Sequence, residues 1–157
     1  MRFISFADGG RPGIGIATAD GEFRGQLAGS DGYPGDLLHL LRAGRDGMAS
    51  AHGRLRRAPV LDPERINFLP PLAAPPKIIC VGLNYAAHAA ESPYEVPTYP
   101  TLFARFASSM VGHRAPIVRP RVSTQLDYEG EMVVVIGRPG RHIAMQRELD
   151  HVELSVE

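Results

Sequence analysis

The sequence has one cysteine, one lysine and no excess of charge of either sign. Its 17 lysine and arginine residues balance 17 aspartate and glutamate residues over 157 positions, so no global field favours nucleic acid or an anionic membrane surface as a partner. Cys80 cannot form an internal disulfide, and no apolar segment is long enough for a signal peptide or a membrane span. We therefore expect a cytoplasmic protein that binds neither nucleic acid nor membrane.

Sequence signatures of common nucleotide and metal sites are also absent. There is no internal repeat, no glycine-rich nucleotide-binding loop and no cysteine and histidine spacing typical of a zinc site. The content of 44% hydrophobic and 22% charged residues is ordinary for a globular chain with one core or two small ones. Any ligand must therefore be recognised by a local group of side chains.

Residues 1–72 alternate short apolar segments with turn signals and predict a small β-rich domain. The pairs Gly9-Gly10 and Asp20-Gly21 separate apolar runs, which is typical of antiparallel hairpins. Asp36 before a leucine-rich stretch and Gly44 after it predict one short helix. That stretch includes His39, for which a surface or core position is the alternative to a ligand role.

A proline-rich stretch at 70–76 marks the predicted boundary, and a second domain is expected at 77–157. Ile78–Gly82 is a continuous apolar run ended by glycine, which predicts a buried strand. Ala86–Glu91 predicts a short helix ended by Ser92-Pro93. Thr101–Phe106 predicts a further strand.

Three side chains of this region are candidates for catalysis or binding. His88 and Glu91 stand three residues apart on the predicted helix, so they share a face and could act as a base and its orienting carboxylate. The alternative is a solvated pair without a role. Arg105 could fork onto a substrate carboxylate, and an exposed arginine without a role is the alternative.

Two carboxylates precede a β-branched apolar run. Met132–Ile136, closed by Gly137, predicts a strand buried on both faces. Because side chains alternate along a strand, Glu129 and Glu131 are expected on the same face. A hard divalent ion such as Mg²⁺ would relieve their repulsion. A solvated strand end with two ordinary glutamates is the alternative.

These segments, in this order, resemble the fumarylacetoacetate hydrolase family. The resemblance covers about 77–152 and rests on Lys77–Tyr85 with His88 and Glu91, Thr101–Arg105 with Ser108 and 111–113, and Asp127–Gly137. It implies a mixed, mainly β fold, in which the small N-terminal β-rich domain precedes an incomplete β-roll of the family type.

The resemblance also implies an activity and a set of site residues. The activity is metal-dependent hydrolysis of carbon–carbon bonds in 1,3-diketo acids such as acylpyruvates. A keto–enol isomerase or decarboxylase of the same family, and a non-enzymatic remnant or interaction fragment, are the alternatives. By resemblance the catalytic residues are His88 and Glu91, the substrate-binding residues are Tyr85, Arg105 and Ser108, and the ligands of Mg²⁺, Mn²⁺ or Ca²⁺ are Glu129 and Glu131. Arg105 stands where many members have lysine, which keeps the charge and changes the geometry.

One departure from the family pattern concerns the metal. Members supply a third ligand from an aspartate on a strand shortly after the region matching Leu149–Val152, and the terminal Glu153–Glu157 does not match that strand. We therefore expect a fragment, a frameshift product or one subunit of a split enzyme. The expected partners are a small keto acid and either a second copy, as in the usual family homodimer, or a complementing C-terminal polypeptide.

Overall fold

The described part of the chain is mainly β-structure with three short α-helices, which confirms the predicted fold class. The computed structural model describes residues 1–91 and 97–156, and the side chains of residues 88, 90, 91 and 154–156 lie outside this description. These residues form two compact units. The first unit comprises Met1–Leu72 and Val111–Glu157, and the second comprises Ala73–Met110. The domain limits expected from the sequence remain predictions.

The amino-terminal region forms a five-stranded antiparallel sheet with the strand order β4-β3-β2-β1-β5. Its strands are β1 (Phe3–Asp8), β2 (Arg11–Ala17), β3 (Phe23–Leu27), β4 (Val60–Leu61) and β5 (Asn67–Leu69). The predicted hairpins are confirmed. Gly9 and Gly10 join β1 to β2 with φ values of +57° and +82°, which glycine adopts without the Cβ clash that restricts other residues.

Two helices, α1 (Leu37–Arg42) and α2 (Gly44–Leu55), pack on this sheet. The predicted start of α1 is confirmed, because the Asp36 carboxylate accepts a hydrogen bond from the His39 backbone N–H. The His39 side chain is exposed. The core shared by the sheet and the helices contains Ile14, Ile16, Leu37, Leu40, Leu41, Met48, Ala51, Leu55 and Ala58.

One helix is predicted in this region, and the structure has two. Three of the 12 residues of α2 are glycine, which lowers the intrinsic helix propensity of the segment. Its buried residues, Met48, Ala51 and Leu55, recur at the three- and four-residue spacing of one helix face. Packing of that face on the core outweighs the weak local propensity.

The second unit contains a two-stranded antiparallel sheet made of β6 (Ile78–Gly82) and β7 (Thr101–Arg105), with helix α3 (Ala86–Glu91) between the strands in sequence. A 3₁₀ helix follows at Ala107–Ser109. These strands and α3 confirm the predicted elements. The predicted helix stop at Ser92-Pro93 lies outside the described residues.

The predicted burial of β6 is wrong. Ile79 and Val81 are exposed, and the other three residues of the strand are only half-buried. A continuous apolar run usually marks a strand covered on both faces. Among the described residues this sheet has two strands. Burial of both faces would require layers packed above and below β6, and the exposure of Ile79 and Val81 shows that their side is not covered.

The last sheet pairs β8 (Val133–Ile136) with β9 (Val152–Val156), and a 3₁₀ helix at Met145–His151 leads into β9. Strand β9 is an addition to the predicted elements. The predicted burial of β8 is also wrong. Val135 is partly buried against the core, and the other three residues of the strand are exposed. In the described part of the chain, no helix is long and apolar enough to span a bilayer.

Candidate functional site

The register of the β6–β7 pair determines which side chains lie on the same face of the sheet as Arg105. Antiparallel pairing sets Arg105 opposite Ile78, and alternation along each strand places every second residue on the same side. We call this side the Arg105 face, and it consists of Ile78, Cys80, Gly82, Thr101, Phe103 and Arg105. Arg105 is exposed, so its guanidinium group is accessible for a bidentate contact with a carboxylate.

Tyr85 follows β6 in a loop with an unusual backbone conformation. Leu83 has a φ of +54°, in the left-handed region that costs a residue with a Cβ roughly 1–2 kcal/mol. The Tyr85 carbonyl accepts a hydrogen bond from the Ala89 N–H at 2.9 Å, which ties the loop to α3. The side chain of Tyr85 is about half exposed. Strain of this kind concentrates at functional loops, and no local sequence signal marks Leu83.

His88 and Glu91 both lie on α3, as predicted. Helical geometry places residues three apart on neighbouring positions of one face. Their side chains lie outside the described residues, so the hydrogen bond between a base and its orienting carboxylate stays a prediction.

Ser108 lies in the 3₁₀ helix after β7 and is exposed. The turn is held by its neighbour, because the Ser109 hydroxyl donates a hydrogen bond to the Phe106 carbonyl at 2.8 Å. The second unit therefore contains all five predicted catalytic and substrate-binding positions, namely Tyr85, His88, Glu91, Arg105 and Ser108.

Glu129 and Glu131 belong to the first unit, in irregular chain ahead of β8. Both are exposed. The predicted strand parity does not apply to them, because β8 begins only at Val133. The described residues include no group of three histidine, cysteine, aspartate or glutamate side chains that could hold a metal ion. A metal-binding role for Glu129 and Glu131 therefore stays a prediction.

Two clefts lie within the first unit, and neither is lined by a predicted site residue. One, of about 330 Å³, lies between the α1–α2 junction and the end of β8. In it Arg45 forms a 3.6 Å ion pair with Glu153, whose side chain is only 9% exposed. The other, of about 170 Å³, is lined by residues of β1 and β5 and by Val111, Gly112 and His113.

The family model for the carboxyl-terminal domain of fumarylacetoacetate (FAA) hydrolase matches residues 77–156. This match covers β6 to β9 and every predicted site residue. The chain is also similar over most of its length to curated proteins. It is 35% identical to oxaloacetate tautomerase fahd2, mitochondrial, of Xenopus laevis, over 97% of this chain and 49% of the relative.

A human protein and a bacterial crystal structure also match most of this chain. Oxaloacetate tautomerase FAHD2A, mitochondrial, of Homo sapiens is 36% identical over 90% of this chain and 46% of the relative. A crystal structure from Mycobacterium smegmatis, provisionally titled an HpcE protein, matches with a TM-score of 0.62 at 26% identity, over 96% of this chain and 52% of that chain. The chain therefore spans about half the length of the curated relatives it matches.

Proposed function

Because the chain belongs to the fumarylacetoacetate hydrolase family, we propose that it carries part of the active site of a keto–enol tautomerase for small 2-oxo dicarboxylic acids such as oxaloacetate. The observation that supports this choice is the name shared by the frog and human relatives, both oxaloacetate tautomerases. They match this chain through both of its predicted domains. The carbon–carbon hydrolase expected from the sequence becomes the second candidate.

Tautomerisation only moves protons, so the enzyme needs a proton-transfer group and consumes no second reactant. A base removes a proton from the carbon beside the keto group, and a proton is added to the keto oxygen, so that atoms and electrons balance without a co-reactant. His88 on α3 is the proposed base, and Glu91 is its proposed orienting carboxylate. An imidazole suits this step because its pKa lies close to neutral pH.

The substrate class fits the side chains of the second unit. A 2-oxo diacid carries two carboxylates, and the exposed guanidinium of Arg105 offers a planar fork for one of them. The hydroxyl groups of Tyr85 and Ser108 can donate or accept further hydrogen bonds. We assign these three residues to substrate binding.

The proposed cofactor is Mg²⁺ or Mn²⁺, with Ca²⁺ as a further choice, and it would use Glu129 and Glu131. Hard divalent ions prefer carboxylate oxygens and accept water at remaining positions. The described residues lack a complete group of ligands, so a site of catalytic accuracy requires a further ligand from outside them.

The partner and the location follow from the same family membership. We propose that the working enzyme is a homodimer, as is usual in the family, with a complementing C-terminal polypeptide as the alternative. A cytoplasmic location remains a prediction, and the frog and human relatives carry "mitochondrial" in their names.

Carbon–carbon hydrolysis is the second candidate, supported by the name of the family model. It would use the same base to activate a water that attacks a carbonyl carbon of a 1,3-diketo acid. The bond to the neighbouring carbon would then break, and the two products would be carboxylic and keto acids. Release of pyruvate from an acylpyruvate therefore distinguishes hydrolysis from tautomerisation, which releases nothing.

The test combines the purified chain with the other half of the frog relative and Mg²⁺, and follows decay of the ultraviolet absorbance of oxaloacetate enol. We expect decay faster than in buffer with Mg²⁺, with a loss of about 100-fold or more in kcat for His88→Ala. His39→Ala is the matched control, since His39 is exposed on α1, and it should leave the rate unchanged. Pyruvate release from acylpyruvate without enol turnover would establish the hydrolase instead. Equal rates for both variants would remove His88 from the mechanism.

A further inference from the structure

We propose that Leu83 is a positioning residue for the proposed base, His88, and that it acts through the direction that its backbone gives to the chain. The inference rests on the proposed function. Strand β6 ends at Gly82 and α3 begins at Ala86, so residues 83–85 connect the two. Leu83 is the first of them and has a φ of +54°. The left-handed turn therefore lies where the chain leaves the sheet, and it sets the path on which α3 begins.

Helix α3 has little stability of its own. It is six residues long, and an isolated helix shorter than roughly 12–15 residues is marginal in water. Tyr85 stands directly before it, and the Tyr85 carbonyl accepts a hydrogen bond from the Ala89 N–H at 2.9 Å. Tyrosine is not among the residues whose side chains stabilise a helix start. The position of α3 therefore depends on the loop before it and on the burial of Ala89, which is 1% exposed.

The left-handed conformation falls on a residue that does not favour it. Glycine adopts such a φ without strain, and the chain has a glycine at position 82, within β6. The turn is made instead at Leu83, whose side chain is half-buried. A backbone of this kind persists only where the surrounding structure holds it, and such residues cluster at functional loops. Leucine also has less conformational freedom than glycine, so α3 begins in one direction.

The turn affects the proposed base through a short length of chain. His88 lies in the first turn of α3, which the hydrogen bond between Ala89 and Tyr85 closes. A general base must lie within hydrogen-bond reach of the proton that it removes. A change of direction at Leu83 would move His88 while β7, which carries Arg105, stays in place. We therefore expect Leu83 to affect the proton-transfer step.

Two substitutions separate the backbone of Leu83 from its side chain. Leu83→Asn removes the apolar side chain and introduces a residue that tolerates the left-handed conformation, whereas Leu83→Val keeps an apolar side chain and adds a β-branch that disfavours it. The readout is the hydrogen-exchange rate of the Ala89 amide, measured by NMR on the full chain. We expect Leu83→Val to raise this rate by about threefold or more. Leu83→Asn should leave it within about twofold of the parent.

Leu102→Val is the matched control, because Leu102 lies in strand β7 of the same unit. A β-branched residue suits a strand, so the exchange rate of the Ala89 amide should equal that of the parent. Faster exchange in Leu83→Asn than in Leu83→Val would overturn the proposal, since it would assign the effect to side-chain packing. Equal rates in Leu83→Val and the parent would also overturn it. So would an equal loss of protection across the amides of β6 and β7, because the substitution would then unfold the sheet.

The enol assay links this turn to the proposed reaction. With circular dichroism showing equal folding, Leu83→Val should lower kcat by about threefold or more, and Leu83→Asn should restore the parental value. Equal kcat in Leu83→Val and an active parent would overturn the positioning role. A parent without turnover, together with the expected order of exchange rates, would contradict the proposed function and leave the control of α3 by Leu83 in place.

Discussion

The carboxylate of Asp36 accepts a hydrogen bond from the backbone N–H of His39 at 2.7 Å and so caps the first turn of α1. Helix starts leave backbone N–H groups without partners, and a side-chain oxygen satisfies one of them. We predict that Asp36→Ala lowers the free energy of unfolding by about 1 kcal/mol in urea denaturation. Asp31→Ala, an exposed change outside the helix, should stay within about 0.5 kcal/mol. A loss of equal size in both variants would contradict the capping role.

Arg105 is predicted to recognise a substrate carboxylate through its planar fork. In the complex with the other half of the frog relative, Arg105→Ala should lower kcat/KM for oxaloacetate enol by about 10- to 100-fold, the usual cost of a lost charged hydrogen bond. Arg105→Lys keeps the charge and should recover only part of the rate, since an ammonium group cannot form the bidentate contact. Full activity of the alanine variant would exclude Arg105 from binding.

The environment of His52 predicts that the stability of the first unit depends on pH. Its ring contacts the ring of Phe3 edge-on at 6.0 Å, and burial, followed by the positive amino terminus and Arg56, lowers its pKa below the usual value of 6.5. The unfolded chain therefore binds a proton at a higher pH than the folded chain does. The stability contribution is present above about pH 6.5 and is lost as the pH falls toward the folded-state pKa.

Urea denaturation at about pH 7.5 and about pH 5.5 measures this effect. We expect His52→Phe, which keeps an aromatic ring beside Phe3, to lose less stability on acidification than the parent chain. His39→Phe should behave as the parent does. An identical pH slope for the parent and His52→Phe would show that other groups cause the dependence.

Local signals predicted the positions of most elements. Asp36 and the glycine pair at 9–10 act through near neighbours, so the sequence alone locates the α1 cap and the first hairpin. The sequence does not predict helix α2, because its glycines weaken the local signal and its stability comes from the packing of three spaced residues. Burial of β6 and β8 could not be predicted, since it depends on which other segments cover the strands.

In the candidate site, too, strand periodicity predicts the position of some residues and not of others. Strand periodicity is sufficient to place Arg105 on one face of the β6–β7 sheet once the strand is known. The same periodicity failed for Glu129 and Glu131, because the strand begins after them. The positive φ of Leu83 has no counterpart in the sequence, since leucine is not a residue that signals a left-handed conformation.

The segment that contains Gly112 is held against β5 by close backbone contact. A Cβ at Gly112 would overlap the carbonyl oxygen of Phe68. The adjoining His113 ring packs edge-on against the Phe68 ring at 5.4 Å, and Arg114 forms a 2.8 Å ion pair with Glu64. Glycine at position 112 therefore allows the backbone approach on which these neighbouring contacts depend.

We predict that Gly112→Ala lowers the free energy of unfolding by about 1–3 kcal/mol, the usual cost of overpacking, and speeds tryptic cleavage after Arg114 in the folded protein. Gly130→Ala is the matched control, because a Cβ at that glycine meets nothing within 4 Å. It should leave both the unfolding free energy and the cleavage rate close to those of the parent. If the Gly112→Ala chain is cleaved after Arg114 no faster than the Gly130→Ala chain, the close approach to Phe68 does not hold this segment in place.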